Sequence, residues 1–109
     1  MKIAIASTDG QKVDCHFGKA DKFFVYEIED GLALSEGARM VTPYSGAPGH
    51  VFDESRISLA INALEDCSLL YVTRIGDLPK AKLEESGVHV VISGLYVHEL
   101  LKNHIGDEI

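Results

Sequence analysis

The chain has few of the residues that would place it in a specialised structural class. Its 109 residues include two cysteines, three prolines and no tryptophan. Two cysteines are too few for the disulfide framework with which small secreted proteins replace a large core. We therefore expect reduced thiols and a cytoplasmic location. A chain of this length buries a little over ~60% of its unfolded surface, so we expect one domain over residues 1–109 with an ordinary core.

Long hydrophobic runs and excess positive charge are also missing. The apolar start, residues 1–6 (MKIAIA), ends at residues 7–10 (STDG), far short of the ~20 apolar residues of a membrane span. Ten Lys and Arg against 17 Asp and Glu give a net charge of −7. This charge repels a phosphate backbone, so we expect neither nucleic-acid nor membrane binding. An anionic ligand would need a local cluster of Lys and Arg.

Strand signals followed by alternating strand and helix signals predict an α/β fold. Apolar and β-branched runs predict strands at residues 2–7, 23–28, 32–41, 69–73 and 88–92. Three helices are expected after Asp53 or Ser55, after Asp77, and from Tyr96 to His104. The first three strands should form an antiparallel meander and the later ones right-handed parallel crossovers. The simplest arrangement is a mixed five-stranded sheet in the order 3-2-1-4-5.

This strand order brings several reactive side chains to one edge of the sheet. Strands one, three, four and five should end at the same edge, where open α/β sheets usually bind ligands. The candidate cofactor-binding residues expected there are Cys15, His16, Lys19, His50 and Arg74. Cys67 and His89 precede strands four and five, so they belong to the opposite edge, roughly 20 Å away. The two cysteines therefore should not be read as a pair.

Residues 15–18 (CHFG) place a thiol beside an imidazole, which suits iron, copper or zinc. Neither CxxC nor HxxxH occurs, so a zinc finger is not expected. Adjacent ligands do not close a site on one ion, so further ligands must come from elsewhere or a cluster must bring its own sulfides. Arg74 and Lys19 could supply charge to an anionic cluster, or pair with acidic residues. His16 could instead shape the turn through a hydrogen bond.

The same residues carry a family resemblance. Residues 15–20 (CHFGKA) and 23–27 (FFVYE) are similar to the signature of the dinitrogenase iron–molybdenum cofactor-binding family, which includes NifX-type carriers and the C-terminal domain of NifB-type proteins. Further matches in order are residues 64–67 (LEDC), 72–76 (VTRIG) and 87–90 (GVHV).

The resemblance implies a ribonuclease-H-like fold with about three helices. It also implies a carrier that takes an iron–sulfur or iron–molybdenum cofactor precursor from a donor protein and passes it to an acceptor, without catalysis. His16 is the metal-ligand candidate that it supports, with Cys15 as an addition.

Two other functions remain open from the sequence. A nuclease-like enzyme would need several converging carboxylates, for which Asp9, Asp14 and Glu27 are the candidates. A metal-free regulatory or protein-interaction module of the same fold would use its surface alone. Strand three would then be an exposed edge, with Ser35 to Arg39 protecting it.

Overall fold

The structure is a computed structural model that describes residues 1–43 and 54–104, with the backbone alone for residues 54–56. The five strands are β1 (Lys2–Ala6), β2 (Lys22–Glu29), β3 (Leu32–Met40), β4 (Leu69–Val72) and β5 (His89–Ile92). The three helices are α1 (Glu54–Asn62), α2 (Asp77–Glu85) and α3 (Val97–Lys102), and a single 3-10 turn spans Phe17–Lys19. His50 lies outside the described residues.

The strands form one mixed sheet in the order β3-β2-β1-β4-β5. β2 runs antiparallel to both β1 and β3, whereas β4 is parallel to β1 and to β5. The predicted fold and strand order are therefore confirmed. As a result, β1, β3, β4 and β5 all end at one edge of the sheet.

The central strand is buried on both faces because its two sets of side chains enter different clusters. Ala4 and Ala6 face a large core closed by α1 and α2, and Ile3 and Ile5 face a smaller one closed by α3. All four are fully buried. The alternation of small and large residues lets two helices approach one face while isoleucines fill the thinner layer on the other.

The hairpin between β2 and β3 is set by its two turn residues. Asp30 and Gly31 both have positive φ, at 54° and 75°. Positive φ at both central positions defines the two-residue turn whose twist matches that of the strands, as the sequence predicts. A register shift between Phe24 and Tyr26 marks a bulge in the same hairpin, and Gly37 donates its N–H to Ser35 Oγ at 3.2 Å. These features interrupt the exposed edge of β3.

The helix ends differ slightly from the predicted ones. Gly76, with extended backbone, is the residue before α2, and Asp77 is the first helical residue and makes no side-chain cap. Tyr96 likewise precedes α3, which ends at Lys102 and is shorter than predicted. Both differences concern one or two residues in a terminal turn, where helix ends commonly fray. None of the helices in the described part of the chain has the length and apolar character needed to span a bilayer.

Candidate functional site

The loop between β1 and β2 crosses the edge where β4 and β5 end. Near its start, Val13 N–H donates to Leu95 O at 3.0 Å, and Gln11 O accepts from Val97 N–H at 2.8 Å. Further along, Cys15 O accepts from Thr73 N–H at 3.0 Å. The loop is therefore fixed at two points, once beyond β5 and once beyond β4.

His16 and Arg74 are the two candidate residues that the backbone places side by side. They form an isolated parallel bridge, and Phe17 N–H donates to Arg74 O at 2.9 Å. Neighbouring chains in such a bridge lie about 4.8 Å apart, and paired residues project to the same side. Both side chains are exposed. An imidazole and a guanidinium thus share one side of this segment.

Lys19 reaches the same region through the 3-10 turn. Its N–H donates to the carbonyl oxygen of His16 at 3.1 Å, so the backbone of Lys19 returns close to that of His16. Phe17 anchors this turn, because its side chain is 1% exposed and its ring centroid lies 5.7 Å from that of Phe23. Within residues 1–43 and 54–104, neither Lys19 nor Arg74 forms an ion pair. Within the described part of the chain, two cationic residues without an acidic partner are thus close to His16 in the backbone.

Cys15 lies on the other side of the segment. Its side chain is half-buried and packs against the α1/α2 core, as does that of Ile75. His16 has extended backbone angles, and successive side chains of an extended chain point to opposite sides. The structure therefore separates the thiol from the imidazole more than their adjacency in sequence suggests.

The surroundings of Cys15 favour its neutral thiol. Its Sγ donates to Asp14 Oδ1 at 3.4 Å, and Asp14 also accepts from Thr8 N–H at 2.9 Å and Thr8 Oγ1 at 2.6 Å. The pKa of Cys15 is raised to about 11, mainly by burial and secondly by the hydrogen bond to Asp14 and the negative charge of that carboxylate. Burial would raise the pKa of Asp14, but the hydrogen bonds from Thr8 and Cys15 outweigh it and lower that pKa. Coordination to a metal would have to displace the thiol proton.

Sequence reasoning missed the way this loop is closed. Thr8 and Asp14 are six residues apart, and no motif marks their double hydrogen bond. Thr73 is a second omission. Its Oγ1 is buried and has no hydrogen-bond partner within the described residues. Thr73 precedes Arg74 in the chain, and its backbone N–H donates to the carbonyl oxygen of Cys15. No pattern in the sequence distinguishes this threonine from an ordinary strand residue.

The carboxylates proposed for a nuclease-like enzyme do not converge. Asp9 Oδ1 accepts from Gln11 N–H at 2.9 Å, Asp14 holds Thr8, and Glu27 pairs with the N-terminal amine at 2.7 Å. Over the ranges 1–43 and 54–104, no three His, Cys, Asp or Glu side chains are grouped as a metal site would require. These acids serve local structure instead.

Cys67 lies at the opposite edge, as predicted. It precedes β4 and is 4% exposed. Arg39 covers it, with Nη1 4.0 Å from its Sγ. His89 begins β5 at this same edge and is exposed. Neither side chain is near His16 along the sheet.

Comparisons with known proteins agree with the fold and identify the family. The family model described as dinitrogenase iron-molybdenum cofactor matches residues 1–106. The chain is 37% identical over 89 residues to protein NifX of Klebsiella pneumoniae, covering 81% of this chain and 53% of NifX. It is 27% identical over 97 residues to the FeMo cofactor biosynthesis protein NifB of the same organism, covering 86% of this chain and 21% of NifB.

A solved structure from Methanocaldococcus jannaschii shares the fold. It matches with a TM-score of 0.60 and 16% sequence identity, covering 99% of this chain and 90% of that one. The chain thus spans about a fifth of the NifB that it matches and about half of the NifX. The match of the family model to nearly the whole length shows that this chain belongs to the dinitrogenase iron–molybdenum cofactor family.

Proposed function

We propose that this protein is an accessory protein of metallocluster assembly, which binds an iron–sulfur or iron–molybdenum cofactor precursor and hands it on without catalysing a reaction. The relatives named NifX and NifB, the latter a FeMo cofactor biosynthesis protein, support this role. The observation that carries it is the bridge between His16 and Arg74, with Lys19 folded back beside them. His16 would be a ligand, and the two cations would hold the charge of the cargo.

The charges around the segment favour an anionic cargo on the His16 side. There, Arg74 and Lys19 have no acidic partner within the described ranges. On the Cys15 side, Asp14 and Asp21 both oppose a negative charge on the sulfur, and the opposite effect of Lys22 is smaller. Charge-assisted hydrogen bonds from a guanidinium are about twice as strong as neutral ones. His16 is therefore the better candidate ligand, and Cys15 is a second contact that must be tested separately.

The small number of ligands favours a preassembled cluster over a bare ion. A bare transition-metal ion needs about four protein ligands, and no group of three or more is present within the described residues. A cluster that brings its own sulfides needs only one or two. The net charge of −7 opposes binding of an anion elsewhere on the surface, so retention of the cargo depends on this local site. Binding through one or two protein ligands still allows release to an acceptor.

The test is anaerobic loading with iron and sulfide, or with extracted cofactor, followed by gel filtration, metal analysis and visible absorption. We expect the wild-type protein to retain colour and iron, and His16→Ala to lose most of both. His89→Ala is the matched control, because this exposed histidine lies at the opposite edge. Equal iron in the His16→Ala and wild-type proteins would contradict the assignment.

Cys15 is tested in the same assay. Because its thiol lies on the core side of the segment, we expect Cys15→Ser to retain more iron than His16→Ala. The double variant with both substitutions should retain the least. If Cys15→Ser alone abolishes binding, the thiol is the principal ligand and the side-chain arrangement must change on loading.

One observation favours the metal-free interaction module as a second candidate. β3 is an edge strand, and Leu32, Leu34 and Met40 on it are 60%, 56% and 68% exposed. Exposed apolar side chains on an edge strand are typical of protein-binding surfaces. Metal analysis of protein isolated anaerobically from its native host discriminates the two functions. Iron in stoichiometric amount supports the carrier, and its absence supports the module.

A further inference from the structure

A second site is formed on the sheet face that α3 covers. There a cavity of about 460 Å³, open to solvent, lies between α3, β2 and the loop that follows β1. Tyr26, Tyr96 and His98 contribute to its walls, and the apolar side chains of Val97 and Leu101 line it as well. Its size falls within the range of small-molecule sites. The α1/α2 core lies on the opposite face of the sheet.

The walls of this cavity present flat rings. The rings of Tyr96 and His98 have centroids 5.9 Å apart and planes inclined by 31°. Tyr96 is 50% exposed, an unusual position for a large aromatic side chain that has apolar neighbours available. Offset stacking at such distances is the favoured geometry between aromatic groups. A third flat ring could therefore stack against this pair.

A positive charge lies over the ring of Tyr96, on a residue outside the set that lines the cavity. Lys12 Nζ is 5.4 Å from the centroid of Tyr96, and it forms no ion pair within residues 1–43 and 54–104. Asp14, the nearest acid along the chain, accepts from Thr8 N–H at 2.9 Å and from Thr8 Oγ1 at 2.6 Å. Asp9 accepts from Gln11 N–H at 2.9 Å, and Glu99 Oε1 accepts from Tyr96 N–H at 3.3 Å. The ammonium group is therefore available to an anionic group.

The backbone around the cavity is held in place before any ligand arrives. Gly10 has φ +79°, and a Cβ there would come within 3.2 Å of the Phe24 ring. The backbone bridge between Lys12 and Tyr96 ties the loop to the start of α3. A preformed wall lowers the entropy lost on binding, which favours even a small ligand.

We propose that this cavity binds a small ligand made of a flat aromatic ring that carries an anionic group such as a carboxylate or sulfonate. The ring stacks on Tyr96 and His98, and the anion lies near Lys12. This site is separate from the His16 edge, and the proposal does not depend on the carrier function. Lys12 and Cys15 are three positions apart in the same loop.

The test is a fluorescence titration with 8-anilinonaphthalene-1-sulfonate, an aromatic anion, and with the neutral N-phenyl-1-naphthylamine. We expect one saturable site per chain for the anion. Tyr96→Ala should weaken binding of both probes about two- to tenfold through lost stacking. Lys12→Gln should weaken the anion about two- to fivefold and leave the neutral probe unchanged.

Two controls keep the result interpretable. Leu59→Ala removes an apolar side chain that is 65% exposed on α1, away from the cavity, and should not change binding. His98→Ala tests the stack without altering the residue before α3, in case Tyr96→Ala disturbs the helix. Near-ultraviolet circular dichroism checks that every variant is folded. Binding that does not saturate, or that Leu59→Ala weakens as much as His98→Ala does, overturns the proposal.

Discussion

Arg39 is the centre of a hydrogen-bond and charge network that joins β3 to the end of α1. It forms a bidentate pair with Asp66, with Nη1–Oδ1 at 2.6 Å and Nη2–Oδ2 at 3.0 Å, and Nη1 also donates to Ala63 O at 2.8 Å. Lys2 lies 3.5 Å from both Asp66 and Glu36. The network joins an edge strand to the end of α1 and covers Cys67. It is structural, and it leaves Arg39 unavailable to a cargo.

The Arg39 pair predicts a loss of stability in acid. The hydrogen bond from Arg39 holds the pKa of Asp66 well below its usual range, outweighing a smaller opposite effect of burial. A lowered folded-state pKa contributes stability above the unfolded pKa of about 3.9, and this is lost as pH falls below it. Since the Asp66 side chain is 47% exposed, solvent screening limits the contribution to about 1 kcal/mol.

Asp66→Asn should therefore lower the free energy of unfolding by about 1 kcal/mol at pH 7 and by much less at pH 2. Urea denaturation at the two pH values measures it. Glu65→Gln is the matched control, since this neighbouring acid is exposed and forms no ion pair with the described residues. A loss of equal size at both pH values would show that Asp66 acts through packing or shape, not through its charge.

At the scale of elements, the backbone conformation of one glycine ends α2. Gly87 has φ +97°, its N–H donates to Glu84 O at 3.1 Å, and Val88 N–H donates to Leu83 O at 2.9 Å. This pair of bonds is the Schellman arrangement, in which a left-handed residue ends the helix. It turns the chain directly into β5. The positive φ of Gly87 is therefore the cause of the helix stop.

Gly87→Ala should lower the free energy of unfolding by about 1 kcal/mol, because a side chain is strained at positive φ even though open space surrounds it. Gly94→Ala is the control. It too has nothing within 4 Å of an added Cβ, but its φ lies outside the left-handed range. Thermal or urea denaturation compares them. If both substitutions have the same effect, backbone strain is not the reason for Gly87.

The end of α3 is attached to the sheet by a titratable contact. His104 Nε2 lies 2.6 Å from the Tyr71 hydroxyl, with the rings edge to face. Burial lowers the pKa of His104 and raises that of Tyr71. For a histidine whose folded pKa is lowered, the neutral form fits the fold. The contribution is complete above the unfolded pKa of about 6.5 and is lost as pH falls below it.

Amide hydrogen exchange in α3 should therefore quicken between pH 7 and pH 5, after correction for the intrinsic rate. His104→Gln removes the titrating group and should flatten this dependence. Exchange in α2 serves as the internal reference, because α2 packs on the other face of the sheet. An unchanged pH dependence in His104→Gln would assign it to another group.

At the scale of the whole molecule, local charge opposes net charge. The protein carries −7, yet Arg74 and Lys19 stand unpaired beside His16 within the described part of the chain. If an anionic cargo binds there, the position of these cations matters more than their number. Lys82 and Lys102, in the last turns of α2 and α3, are far from the edge where β4 ends.

Two double variants separate local from net charge. Arg74→Gln with Lys19→Gln, and Lys82→Gln with Lys102→Gln, each change the net charge from −7 to −9. We expect the first pair to weaken cluster binding about fivefold and the second to have little effect. The anaerobic loading assay measures both. Equal weakening would mean that the overall field, and not this edge, attracts the cargo.

Short-range patterns in the sequence were sufficient for the architecture. The apolar run of residues 2–7 predicts a buried strand, and Asp30-Gly31 predicts the hairpin. Together with the handedness of crossovers, they leave few strand orders, and 3-2-1-4-5 was confirmed. The family resemblance could also be identified from the sequence, because its signature consists of short segments in one loop and at a few strands. These features depend on neighbours in the chain.

Only the tertiary structure decided which side chains share a side of the loop. Cys15 and His16 are adjacent in sequence, but the bridge to Arg74 holds this segment extended and directs them apart. The pairing of Arg39 with Asp66, 27 residues away, and the cavity beside Tyr96 likewise depend on contacts between distant elements. Such contacts follow from the packing of whole elements, which no local pattern specifies.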